Sequence, residues 1–403
     1  MRLPSTKPFI AAIMAAALAA AAPRDANAAD PAPAASPWRI GMSAAFSGPA
    51  EALGAGMRDG VLAYFAAVNA RGGVHGRPLE LVARDDAYEP ARTAPNMRAL
   101  ADEDHVFAVI GNVGTPTAAV AVPIADEKHL PLFGAFTGAG LLRKSPPDRY
   151  VVNFRASYAE ETAEMVRGLV TELGIRPEQI GFFTQNDAYG DAGWKGAVAA
   201  LERLGYADAA NLPHGRYPRN TVDVEAGLAE LLDPRVDVRA VIMVGAYKPC
   251  ARFIQLAKAY DFAPYFLNVS FVGSDALAGT LGADGDGVVI TQVVPLPDGD
   301  TAAARELQAT VPAEKRNFVT FEGFLAAKAF VAALERAGAD ATPESFLDAV
   351  ESGAPFDLGL GVEHRLSKAE HQFSHRVWPT VIRGGRFVAL ARWTDLLPQE
   401  SAR

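Results

Sequence analysis

His371 and His375 stand four residues apart, a spacing that would put two imidazoles on one helix face and could offer them to a metal ion. No carboxylate completes a ligand pattern around them, and the segment runs into an expected strand, so they read as two solvated loop histidines. Asp284 and Asp286 gather oxygen ligands within Gly282–Gly287, but the run is too short for a calcium loop and lacks its distal glutamate; a turn is expected. Gly54, Gly56 and Gly60 miss the spacing of a dinucleotide fingerprint by one residue, and glycines near a helix start serve turn geometry. The chain carries no Walker A, Gly-x-Ser-x-Gly, His-Glu-x-x-His or paired-cysteine zinc pattern. These absences favour a protein that binds rather than one that catalyses.

Arg2 and Lys7 precede an apolar run from Pro8 to Ala22, and Ala26-Asn27-Ala28 offers small residues for cleavage, which reads as a signal peptide over 1–28. The run is shorter than the roughly 20 residues a membrane span needs. The only cysteine, Cys250, is far from that site, so no lipid anchor is expected, and no internal disulfide can form. The totals are 38 basic and 47 acidic residues; without Arg2, Lys7, Arg24 and Asp25 they become 35 and 46, a net charge of −11. Nucleic acid is therefore not an expected partner. The remaining chain exceeds what one hydrophobic core usually supports, which implies two domains.

Residues 29–37 are rich in Pro and Ala and read as a flexible leader. From Trp38 onward, short apolar runs at 38–45, 79–84, 106–110, 131–133, 150–154, 180–184, 240–244 and 287–294 read as strands. Between them, Met57, Val61, Tyr64, Phe65 and Val68 form one helical stripe that stops at Gly72-Gly73. Tyr158, Met165, Val166, Leu169, Val170 and Leu173 form another, with Glu160, Glu161, Glu164 and Arg167 expected largely on the opposite face. This alternation implies an α/β fold of βαβ units with mostly parallel sheets and ligand sites at the carboxyl ends of strands. Runs at 376–382 and 386–393 flank Gly384-Gly385 and suggest a terminal hairpin.

Three segments near the start, Gly41-Met-Ser-Ala-Ala-Phe-Ser-Gly-Pro49, Val68-Asn-Ala-Arg-Gly-Gly-Val-His-Gly-Arg-Pro-Leu79 and Asp85-Asp-Ala-Tyr-Glu-Pro90, resemble the leucine/isoleucine/valine-binding proteins of ABC importers. The resemblance continues through Val109-Ile-Gly111, Gln185-Asn-Asp-Ala-Tyr-Gly190 and Gly245-Ala-Tyr247 and spans nearly all of the chain after residue 38. It implies a type I periplasmic binding protein: two Rossmann-like lobes with central, mostly parallel sheets, joined by three crossover strands near 154, 292 and 374. The lobes would be 38–154 plus 293–373 and 155–292 plus 374–396, closing on a small amino acid or carboxylate. The implied partners are that solute and the membrane subunits of an ABC permease; no cofactor is implied, and a periplasmic monomer is expected.

The resemblance places the hydroxyl that holds the ligand carboxylate at Thr115, at the start of a helix running to about Lys128. A helix N-terminus adds free N–H donors there, although Thr115 also suits a simple N-cap before Pro116. The same resemblance assigns the loop Ala135-Phe136-Thr137 to the ligand head group, and Tyr189 and Tyr247 to the cleft lining, where either tyrosine could instead be a packing residue. The family's acid for the ligand ammonium falls on Ser270, and a hydroxyl pairs poorly with a buried cation. Asp275 could substitute, or serve the first turn of the following helix. Leu53 stands where the family has an aromatic, and the family's disulfide positions fall on Tyr88 and Gly114. These departures point to a carboxylate without an α-ammonium group. Two rival readings stay open: a ligand-sensing input protein for a signalling partner, and an exported hydrolase.

Overall fold

The computed structural model describes residues 36–397, so the signal-peptide segment and nearly all of the expected leader lie outside the described residues. Five parallel strands form a first sheet in the order β2-β1-β3-β4-β5, with β1 at Trp38–Ala44, β2 at Leu79–Asp85, β3 at Ala108–Ile110, β4 at Leu132–Phe133 and β5 at Val151–Val152. Helices α1 (Glu51–Asn69), α2 (Pro90–Asp102) and α3 (Thr115–Glu127) connect them. The expected stripe of α1 is buried, and the turn after Asn69 runs through Gly72 and Gly73, whose φ angles of +100° and +74° suit glycine.

A second sheet takes β6 (Ile180–Gln185), β7 (His214–Tyr217), β8 (Ala240–Val244), β9 (Tyr265–Asn268) and β10 (Val289–Gln292) in parallel. Its helices are α4 (Tyr158–Arg167), α5 (Ala188–Arg203), α6 (Glu225–Leu231), α7 (Tyr247–Ala259) and α8 (Ser274–Leu281). The chain then returns to the first sheet through α9 (Ala302–Thr310), α10 (Phe318–Ala337), which packs along α1, and α11 (Pro343–Val350). A small pair, β11 (Phe356–Asp357) and β12 (Glu363–His364), precedes β13 (Trp378–Arg383) and β14 (Arg386–Ala389), the antiparallel edge of the second sheet. Positive φ at both Gly384 and Gly385 gives β13 and β14 a two-residue hairpin turn that matches strand twist. The sequence reading missed β7 and β9 and the two-residue strands β11 and β12, whose runs are too short to show a period.

Three stretches carry the chain between the sheets, and two run side by side. Asn153 N–H donates to the His371 carbonyl at 2.7 Å, Phe373 N–H to Asn153 at 2.9 Å and Ser374 N–H to Phe154 at 3.0 Å. His371 anchors this junction. It is 3% exposed, with Nδ1 2.8 Å from the Val151 carbonyl and Nε2 2.9 Å from Glu351 Oε1. The expectation of two solvated histidines therefore fails for His371, because the third crossing packs it against the first. His375 does stay largely exposed and pairs with Glu160 at 2.6 Å.

A second correction concerns α4. Glu161 is completely buried instead of facing away from the core, because α4 lies beneath the crossing that carries Arg155.

Candidate functional site

The residues singled out from sequence all sit at or just beyond the carboxyl ends of strands, where the two sheets face each other. Thr115 follows β3, Ala135-Phe136-Thr137 follow β4, Tyr189 follows β6, Tyr247 follows β8 and Ser270 follows β9. Most are fully out of contact with solvent, Ser270 and Tyr247 keeping 5% exposure. Thr115 is not an N-cap: Gly114 takes that position, and the Thr115 hydroxyl instead meets the Thr137 hydroxyl at 2.7 Å. Gly114 has φ of +104°, and a Cβ there would lie 2.0 Å from Tyr88 Cε2, so the two positions that carry a disulfide in the family are neighbours here, filled by a glycine and a ring.

Aromatic rings bridge the lobes. Phe271 lies 5.2 Å from Phe136, 4.5 Å from Tyr189 and 6.0 Å from Tyr88, while Tyr158 lies 5.2 Å from Tyr189, all between ring centroids. The Tyr189 hydroxyl donates to the Gly245 carbonyl at 3.2 Å, and Gln185 Nε2 donates to the Tyr88 hydroxyl at 3.2 Å. Tyr247 stands apart from this cluster. It lies with Leu53 beside Gly273. At the rim, Arg219 Nη2 meets Glu89 at 2.8 Å, and Asn220 Nδ2 donates to the same carboxylate at 2.6 Å, tying the loop after β2 to the loop after β7.

Three charged residues that the sequence reading did not single out form the polar heart of the junction. Arg155 is fully buried; its guanidinium lies 3.8 Å from Glu161 and 3.4 Å from Glu322, and stands 4.6 Å from the centre of the Phe136 ring. Glu161 accepts from Ser270 N–H at 2.7 Å, Ser270 Oγ at 2.9 Å and Thr291 Oγ1 at 2.8 Å. Arg155 Nη2 also donates to Ser270 Oγ, while its Nε and Nη1 complete no hydrogen bond. Burial pushes the Glu322 carboxyl up to about 7 and raises Glu161 as well, with Arg155 opposing both shifts. A signal for this cluster was present: Arg155 and Glu322 each interrupt an apolar run, Phe154-Arg155-Ala156 and Phe321-Glu322-Gly323-Phe324. Asp275, considered as a substitute acid, lies in the first turn of α8 and accepts from Phe318 N–H at 3.2 Å.

Beside this core, a cavity of about 600 Å³ opens between the lobes. Its wall includes Thr115 in the first turn of α3, Ser157 at the N-cap of α4 and Ala188 in the first turn of α5, so three helix starts border one space. Arg143 and Lys195 line it as well, between small apolar residues such as Ala139 and Ala159. Arg143 donates to the carbonyls of Thr137, Ala139 and Arg155 and to Gln372, and burial lowers its pKa to about 10, which leaves it cationic at neutral pH. Positive helix ends and cations make such a space favourable to an anion. Among the described residues no cluster of three His, Cys, Asp or Glu could hold a metal ion, and no helix is long and apolar enough to cross a membrane.

The family model for periplasmic binding proteins matches residues 37–386, and this chain belongs to that family, in its leucine/isoleucine/valine-binding branch. The Leu/Ile/Val-binding protein BraC3 of Rhizobium johnstonii is 23% identical over 339 residues, covering 80% of this chain and 85% of that one. The crystal structure of a possible leucine/isoleucine/valine-binding protein from Rhodopirellula baltica is 48% identical, with a TM-score of 0.87, covering 92% of this chain and all of that one. A substrate-binding periplasmic protein from Ralstonia solanacearum is 28% identical, with a TM-score of 0.79 over 87% of this chain and 99% of its own. The fold is accordingly the two-lobed type I binding-protein architecture.

Proposed function

We propose that this chain is an exported solute-binding protein of an ABC importer, which encloses a small amino acid or carboxylic acid between its lobes and presents the closed form to the permease. The observation that carries this reading is the interlobe cavity of about 600 Å³ bordered by three helix starts, with the Thr115 and Thr137 hydroxyls buried next to it. Its volume suits one small molecule. Residues 38–154 with 293–373 would form one lobe, and 155–292 with 374–396 the other. Of the residues singled out from sequence, Thr115 borders the cavity, while Ala135, Phe136, Thr137, Tyr189, Tyr247 and Ser270 would support the site from behind it or across the junction. A solute touching both lobes favours closure, and the permease reads occupancy from shape. Periplasmic export rests on the signal-peptide pattern of residues 1–28. The buried acids are spent on Arg155 and on hydroxyls inside the junction, an internal pairing that supports binding without turnover.

A thermal-shift screen of purified protein against small metabolites tests the reading. A true solute at 100 times its Kd should stabilise the fold by about 2.7 kcal/mol. A broad panel of amino and carboxylic acids without one stabilising compound, or conversion of the stabilising compound into product, would overturn it.

A further inference from the structure

We infer that the cleft selects an apolar monocarboxylate that lacks an α-ammonium group, with Arg143 and Lys195 as its counter-cations; this rests on the interlobe cavity being the solute site. Anionic and cationic side chains around that cavity are matched unequally. Every carboxylate at its wall or behind it is already engaged. Asp191 meets Arg216 at 2.5 Å, and Asp187 caps α5 and lies 3.4 Å from Arg219. Glu160 accepts from Ser157, Gln372 and His375, and Glu161 and Glu322 flank Arg155. The cations are not matched in the same way. Neither Arg143 nor Lys195 has a carboxylate within 4 Å among the described residues, and Arg143 is held only by neutral carbonyl and amide oxygens.

An entering ammonium would lose its water, find no free carboxylate, and face two cations and three positive helix ends. An entering carboxylate would find both cations uncompensated, with the Thr115 hydroxyl at the same wall. Apart from Ser157, which bonds Glu160, and Asp191, which is paired with Arg216, the rest of the wall is alanine, glycine and leucine, which receives an apolar body. At the other side of the junction, Ser270 is bonded to both Arg155 and Glu161, and that buried acid is already spent on Ser270, Thr291 and the guanidinium.

Titration calorimetry with matched pairs differing only in the ammonium group tests this: 3-phenylpropanoate against L-phenylalanine, and 4-methylpentanoate against L-leucine, at pH 7.5. The carboxylate of at least one pair should bind ten-fold or more tightly than its amino acid. Lys195→Met, at an exposed position that leaves the fold undisturbed, should weaken that carboxylate three- to ten-fold and flatten its salt dependence. An amino acid that binds as well as its deamino partner overturns the inference while leaving solute binding intact, and so does an absence of binding by all four compounds when another metabolite stabilises the protein. Unchanged affinity and salt dependence in Lys195→Met would remove Lys195 from the site.

Discussion

Replacing Glu161 by Gln should destabilise the protein far more than a helix-face glutamate normally would. The carboxylate is completely buried, accepts three hydrogen bonds between 2.7 and 2.9 Å, and is one of two acids that balance Arg155. Glutamine keeps the shape but carries two donors into a space already crowded with them. It can still accept from Ser270 N–H, but its amide then points toward Ser270 Oγ, which Arg155 already donates to. One buried guanidinium is left with Glu322 alone at 3.4 Å. Breaking a buried pair by removing one partner costs on the order of 3–5 kcal/mol, and a hydrogen bond to a charged group about 1.5–3 kcal/mol. Since part of the bonding survives, a loss of about 3 kcal/mol is expected. Urea unfolding at pH 7.5 followed by tryptophan fluorescence measures it, with Glu178→Gln as a surface exchange that leaves the midpoint in place. Because replacing Arg155 and Glu161 together leaves neither stranded without the other, and Glu322 loses its cation in the Arg155 single variant as well, Arg155→Met combined with Glu161→Met should be less damaging than the two single effects added together. A loss below about 1 kcal/mol for Glu161→Gln would refute the claim that Arg155 depends on this acid.

Thr115→Ala should weaken carboxylate binding by about 1.5–3 kcal/mol, read by calorimetry, and unchanged affinity would remove Thr115 from the site. Gly60→Ala should destabilise by about 2 kcal/mol or more despite better helix propensity, because the new Cβ would lie 2.1 Å from the Thr320 carbonyl where α1 crosses α10. Gly279→Ala in α8, where a Cβ meets nothing within 4 Å, should instead stabilise by about 0.5–1 kcal/mol, and chemical denaturation of the two variants separates the effects. Glu322→Gln tests the buried acid by pH. Its folded pKa of about 7 lies above the ordinary 4.5, so its contribution to stability is fully present below 4.5 and is lost as pH rises through 7. Relative to the glutamine variant, the native chain should lose up to about 3 kcal/mol between pH 4.5 and 8, and parallel stability profiles would contradict the shift.

The Ser270 position shows how far the site could be read in advance. Its alignment with an acid in the family was visible from the surrounding residues, and so was the loss of that acid. What stands there instead was not visible, because Arg155 lies 115 positions away in the chain and reaches Ser270 only through the first crossing. Glu161 misled for a related reason. Helical periodicity places it with Glu160 and Glu164, but a helix at a lobe junction is covered from more than one side, and periodicity reports only one buried face. His371 looked like a loop residue because strand pairing between crossings leaves no local pattern. Arg143 and Lys195 drew no attention, since cations at 52 residues' separation become neighbours only when two lobes face each other.

By itself the sequence determined the alternation of strands and helices, the stripe and glycine stop of α1, the Gly384-Gly385 hairpin and the family, because local period, turn chemistry and contiguous motifs are properties of neighbouring residues. Only the tertiary structure decided which acids are spent on internal cations and which cations remain without an acid. That balance is set by distances between residues remote in the chain, and the proposed preference for a simple carboxylate over an amino acid rests on it.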